Sequence, residues 1–116
     1  MKLIANAVVL ASGFIGLAAY GQCESPAVVD IPNGATATLD QMLEAQTAVR
    51  AYLAAMEEYL ACVNEEIEAQ SEETPEEVRA VLIERYNNGV TEMETVAANF
   101  NEQRVAYQEA NASKSN

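Results

Sequence analysis

Two long stretches of this chain repeat their apolar residues at helical intervals, and a shorter stretch before them does not. From Leu39 onward an apolar stripe runs through Leu39, Met42, Val49, Leu53, Met56, Leu60, Val63 and Ile67. Steps of three, four and seven residues place them on one face of a helix. No Gly or Pro interrupts this stretch up to Gln70. Thr38-Leu39-Asp40-Gln41 reads as a capping box, in which the Thr38 hydroxyl accepts the Gln41 amide. A first helix is therefore expected over 39–70.

Ser71-Glu72-Glu73-Thr74-Pro75-Glu76-Glu77 reads as a break and restart. Thr74 suits the cap, Pro75 the first helical position, and Glu77 the far side of a second capping box. The acids also suit the positive end of the new helix dipole. Val78, Leu82, Tyr86, Met93, Val96, Phe100 and Tyr107 then share a face, predicting a second helix over 75–110 and a disordered tail over 111–116. Asn87-Asn88-Gly89 could end that helix, with Thr91 to Glu94 capping a third. Gly89 keeps the apolar phase, which favours one long helix, straight or bent. The short joint makes the two helices antiparallel neighbours.

Residues 22–37 carry Pro26, Pro32, Asn33 and Gly34, with Val28, Val29 and Ile31 as their large apolar side chains. Ile31-Pro32-Asn33-Gly34 reads as a turn, and the rest as an extended arm.

Ahead of the arm, Lys2 precedes an apolar run from Leu3 to Ala19, then small residues at Ala19 and Gly21. This is the pattern of a secretory signal peptide over 1–21. An uncleaved anchor and an acylated Cys23 are the rival readings, and each would put the chain at a membrane. Export changes the meaning of the two cysteines, Cys23 and Cys62. In an oxidising compartment they admit one intramolecular bond. A helix rises about 1.5 Å per residue, so Cys62 lies about 35 Å from the start of the first helix. The arm can span that distance only if it runs back along the helix, mostly extended. Ala48, Ala55 and Cys62 recur every seven residues and form a strip of small side chains beside Tyr52 and Tyr59. The expected arm groove comprises Ala48, Tyr52, Ala55 and Tyr59, with the arm contributing Val28, Val29 and Ile31.

Charge narrows the function. The chain has 18 acids against 6 bases, no histidine and no tryptophan, and a net charge of −12. Loss of the leader removes Lys2 and makes it −13. Such a chain repels nucleic acid and anionic lipid. It admits a basic protein partner, for which Glu65, Glu66, Glu68, Glu72, Glu73, Glu76 and Glu77 at the hairpin tip offer a surface. The same carboxylates could hold a hard divalent cation, although their spacing follows no known loop motif. Tyr52, Tyr59, Tyr86, Phe100 and Tyr107 could line a small-ligand slot, although aromatics at helical spacing more often build a core. No histidine base, phosphate loop or nucleophile motif is present, so neither catalysis nor a cofactor is expected.

The chain resembles a group of short secreted proteins of Gram-negative bacteria. The resemblance rests on Cys23-Glu24-Ser25-Pro26, Ile31-Pro32-Asn33-Gly34, Tyr59-Leu60-Ala61-Cys62, Thr74-Pro75-Glu76, Arg85-Tyr86-Asn87 and Phe100-Asn101. It implies a periplasmic address and an unbroken second helix, and no activity. The fold expected is all-α: an antiparallel two-helix hairpin whose extended N-terminal arm is pinned by one disulfide. Two helices make a thin core, and pairing of two hairpins into a four-helix bundle would thicken it. Action by protein–protein contact is the expected function, and carriage of a small ligand or cation the alternative.

Overall fold

The computed structural model describes residues 23–112; the expected leader, Gln22 and residues 113–116 lie outside the described residues. The fold is all-α. Helix α1 spans Leu39–Glu68 and helix α2 spans Glu76–Ala112. They form a hairpin, with the extended arm laid along it. Antiparallel order is visible in the partners: Tyr52 meets Glu92, Leu60 meets Gly89, and Glu66 meets Arg85.

Local chemistry sets each helix end. Thr38 Oγ accepts the Gln41 amide at 3.1 Å, and Gln41 Oε1 accepts the Thr38 amide at 2.8 Å. The capping box is therefore complete. At its other end α1 stops at Glu68, two residues earlier than the periodicity suggests. Gln70 leaves the helix to donate from its side chain to the Glu66 carbonyl at 2.8 Å. Arg79 then donates to the Ser71 carbonyl at 3.0 Å, tying the joint to α2.

The restart also differs from the expected capping box. The Thr74 hydroxyl lies 3.5 Å from Ser71 Oγ, so it faces the turn. The Pro75 carbonyl accepts from Val78 and Arg79, making Glu76 the first helical residue. α2 passes through Gly89 without a break, so no third helix forms among the described residues. It also runs two residues past the expected end, where Asn111 donates to the Tyr107 carbonyl at 2.8 Å.

The helices meet along a seam of alternating three- and four-residue steps. On α1 the buried positions are Met42, Ala45, Val49, Tyr52, Met56, Tyr59 and Val63, with Leu60 beside them. On α2 the same rhythm runs through Leu82, Tyr86, Gly89, Met93, Val96, Phe100, Gln103 and Tyr107, all buried or half-buried. This is the spacing of antiparallel coiled-coil packing. Met56 and Val63 are wholly buried at its centre. Two residues of the expected stripes lie off the seam. Leu39 is 55% exposed because the seam begins at Met42, and Val78 is 45% exposed because the half-buried Arg79 holds the seam position there.

Gly89 marks a close approach of the helices. A Cβ on it would lie 2.8 Å from Leu60 Cδ2, 3.4 Å from the Tyr59 ring and 3.5 Å from Met56 Sδ. Glycine costs roughly 1 kcal/mol relative to alanine inside a helix. Here that cost is offset by the contact it permits. Gly89→Val brings three carbons into this space and should lower stability by about 1–3 kcal/mol. The thermal midpoint should fall by roughly 5–15 °C. An unchanged midpoint on a calorimetric scan would mean the seam is looser than its geometry implies.

Candidate functional site

The arm lies in the groove on one side of the seam, as a third layer over the hairpin. Its two ends are held differently. At one end Cys23 and Cys62 form a disulfide, with Cα atoms 5.7 Å apart. At the other end the Gly34 amide donates to Gln103 Oε1 at 2.8 Å. Gly34 is buried, and a Cβ on it would land on the Gln103 carbonyl oxygen and 3.0 Å from the Tyr107 amide nitrogen. The turn itself is built by Asn33, whose side chain accepts the Ala35 amide at 3.0 Å and whose carbonyl accepts the Thr36 amide at 3.2 Å. No described glycine has a positive φ. Gly34 is required by closeness to the α2 backbone, not by the handedness of the turn.

Between its ends the arm is extended, so alternate side chains point inward. Val29 and Ile31 pack against the core, while Val28 is 81% exposed. Val28 therefore does not line the groove. Ala55, Tyr59 and Cys62 face the arm around Cys23 and Pro26, and Tyr52 is buried in the seam. Ala48 stays exposed beside Asp30 and Pro32. The groove thus follows Ala45, Tyr52 and Tyr59 toward α2 and leaves the outer end of the alanine strip open. The arm leans that way because its far end docks on α2 rather than on α1.

Magnitudes show how unequal the arm's supports are. Half-burying Val29 and Ile31 stabilises by about 2 kcal/mol together. Ordering the backbone costs about 1 kcal/mol or more per residue, hence roughly 9 kcal/mol over 23–31. Packing alone does not hold that half of the arm. The disulfide closes a loop with a sequence separation of 39. In the chain-entropy model such a loop stabilises by about 4 kcal/mol and holds the arm beside its groove.

Tyr52 carries the perturbed titration of the site. Its hydroxyl donates to Glu92 Oε1 at 2.7 Å. Burial first, then the hydrogen bond and charge of Glu92, push its pKa up from 10.0 to about 12. A phenol held neutral by a carboxylate acceptor ties the two helices together across the seam.

The acidic tip does not gather into one site. Glu66 turns toward Arg85 with an N–O distance of 3.8 Å, and its Oε1 is buried with no hydrogen-bond partner. Glu65, Glu68, Glu72, Glu73, Glu76 and Glu77 are exposed. Among the described residues no three His, Cys, Asp or Glu side chains are grouped so as to hold a metal ion. No described helix is long and apolar enough to cross a membrane. Of the aromatics, Tyr52 and Tyr59 belong to the core, with Tyr86 and Phe100 packed on it.

No family model, curated protein or solved structure matches the chain.

Apolar side chains are left uncovered near the open end of the hairpin, away from the tip. Leu39 is 55% exposed and Leu43 51% exposed. They flank a cleft of about 190 Å³ between the helices, walled by Met42, Phe100, Arg104 and Tyr107. On a helical wheel Leu39 and Leu43 fall on the side of α1 turned away from the arm.

Sequence reasoning missed two of the functional residues, Gln103 and Glu92, and one of them carried a weak signal. Gln103 interrupts an otherwise apolar series, and a polar residue on such a face marks a specific partner. Glu92 has no such mark, because acids are common along this chain.

Two expectations follow. Gly34→Ala should cost about 1–3 kcal/mol, although alanine ordinarily restricts the unfolded chain to advantage. A melt that rises would show that the arm does not press on α2. For Tyr52, the folded pKa exceeds the unfolded one, so its contribution is full below pH 10 and lost as pH rises toward 12. Tyr52→Phe should cost about 1 kcal/mol at pH 8. Urea titrations of both proteins should show that gap closing between pH 10 and 12.

Proposed function

We propose that this chain is a small acidic protein of the bacterial periplasm that works by protein–protein contact, with no reaction of its own. One observation carries the reading: the apolar cleft at Leu39 and Leu43, open to solvent beside a tightly packed seam. Exposed Leu side chains scattered singly need no explanation, but grouped around a cleft they favour a partner. Arg104 at the cleft wall supplies a polar anchor of the kind enriched at interfaces.

The address has separate support. A disulfide forms and persists in oxidising compartments, which fits a site outside the cytosol. The signal-peptide pattern over 1–21 adds export to that reading. The charge of −12 favours a partner with a basic surface, through attraction that speeds encounter at low salt. It works against pairing of two like copies.

A photo-crosslinking residue at position 43, in cells that export the protein, tests the reading. A discrete adduct with another protein is expected, and Leu39→Glu should abolish it. A crosslink to a second copy alone would recast the protein as a homodimer. Absence of any adduct, or an adduct unchanged by Leu39→Glu, would remove the cleft as the contact.

A further inference from the structure

We propose that the Cys23–Cys62 disulfide is a releasable lock on the arm: its reduction frees residues 23–31 and uncovers the groove at Tyr59, while the Gly34 clasp keeps the remainder docked. The arm is held at two points of different chemistry. One is covalent, between Cys23 and Cys62. The other is a hydrogen bond from Gly34 to Gln103 with the backbones in close contact. The clasp needs no help from the sulfurs. It lies four residues before Thr38, whose capping box holds the chain to α1. The segment ahead of it depends on the bond, since Val29 and Ile31 are the large apolar groups it turns inward.

The bond is also within reach. Cys23 and Cys62 are half-buried and line an open cleft of about 630 Å³, with Pro26, Ala55 and Tyr59. A small dithiol reductant can enter it. Its first thiolate attacks one sulfur, the S–S bond breaks, and the other sulfur departs as a thiolate. The donor's second thiol resolves the mixed disulfide. Two electrons and two protons pass to the cysteines, and the donor ends as a disulfide. Glu24 and Glu58 also line the cleft, so an anionic thiol should react more slowly than a neutral or cationic one at low salt.

Tyr59 is the residue most affected. It is 8% exposed with the arm in place, and its ring lies beside both Gly89 and the arm cleft. Release of 23–31 would bare that ring and Ala55 on a face already lined by α2 residues Arg85 and Glu92. The fold would remain a hairpin, because the seam does not include either sulfur.

Methyl and amide NMR at 10 °C, on the protein with and without a neutral dithiol, tests this directly. In the oxidised protein the Val29 methyls should show cross-peaks to core side chains. On reduction those cross-peaks should weaken at least fivefold. Exchange protection of the Gly34 amide should stay within about threefold, and helical circular dichroism should be retained. Cys23→Ala/Cys62→Ala, which needs no reductant, should reproduce the reduced spectrum. Loss of helical signal in both would make the bond a plain structural staple and overturn the proposal. Unchanged Val29 cross-peaks would overturn it equally, since the arm would then hold without its lock.

Discussion

Close packing of α1 on α2 along one narrow seam is the condition for everything else in this molecule. Two helices offer each other a single stripe, and the stripe must be dense to hold them. The alternating steps through Met42, Val49, Met56 and Val63 supply large side chains at its centre. Gly89 supplies the space for Leu60 and Tyr59 to approach. The hydrogen bond from Tyr52 to Glu92 adds a directional contact at one height of the seam. Because the seam is narrow, it leaves a groove on each side. The arm fills one of these, and the other carries the exposed apolar residues near Leu39.

The two glycines that matter act by absence of a side chain, and neither uses the left-handed backbone that glycine alone tolerates well. Gly34 lets the arm touch the α2 backbone, and Gly89 lets the helices touch each other. Both therefore report on distance. A glycine in a helix interior is ordinarily a weakness. Its presence in mid-α2 is accounted for by the neighbour it faces.

Much of the architecture was legible from periodicity. The Thr38–Gln41 box, the two helices and their antiparallel order follow from spacing and capping chemistry, and the bridge between Cys23 and Cys62 from the expected export of a chain with two cysteines. What escaped was lateral detail. Tyr52 and Tyr59 looked like the rim of a strip of small residues, yet both belong to the buried seam. Counting large aliphatic residues alone hid them, since Ala45, Tyr52 and Tyr59 fill the alternate positions. Ala48 looked like groove wall and is exposed, because the arm docks on α2 through a side-chain hydrogen bond at Gln103. Such a bond has no periodic signature. Of the acidic tip, Glu66 turns toward Arg85, and the other six glutamates stay exposed.

The sulfur bridge also relocates where the molecule feels a pull. Anything attached ahead of Cys23 leaves the fold beside residue 62, deep along α1, rather than at the frayable start of that helix. Tension on that attachment would pass straight across the bridge, leaving residues 24–61 as a closed loop under no load. The first helix could not be peeled from its own beginning.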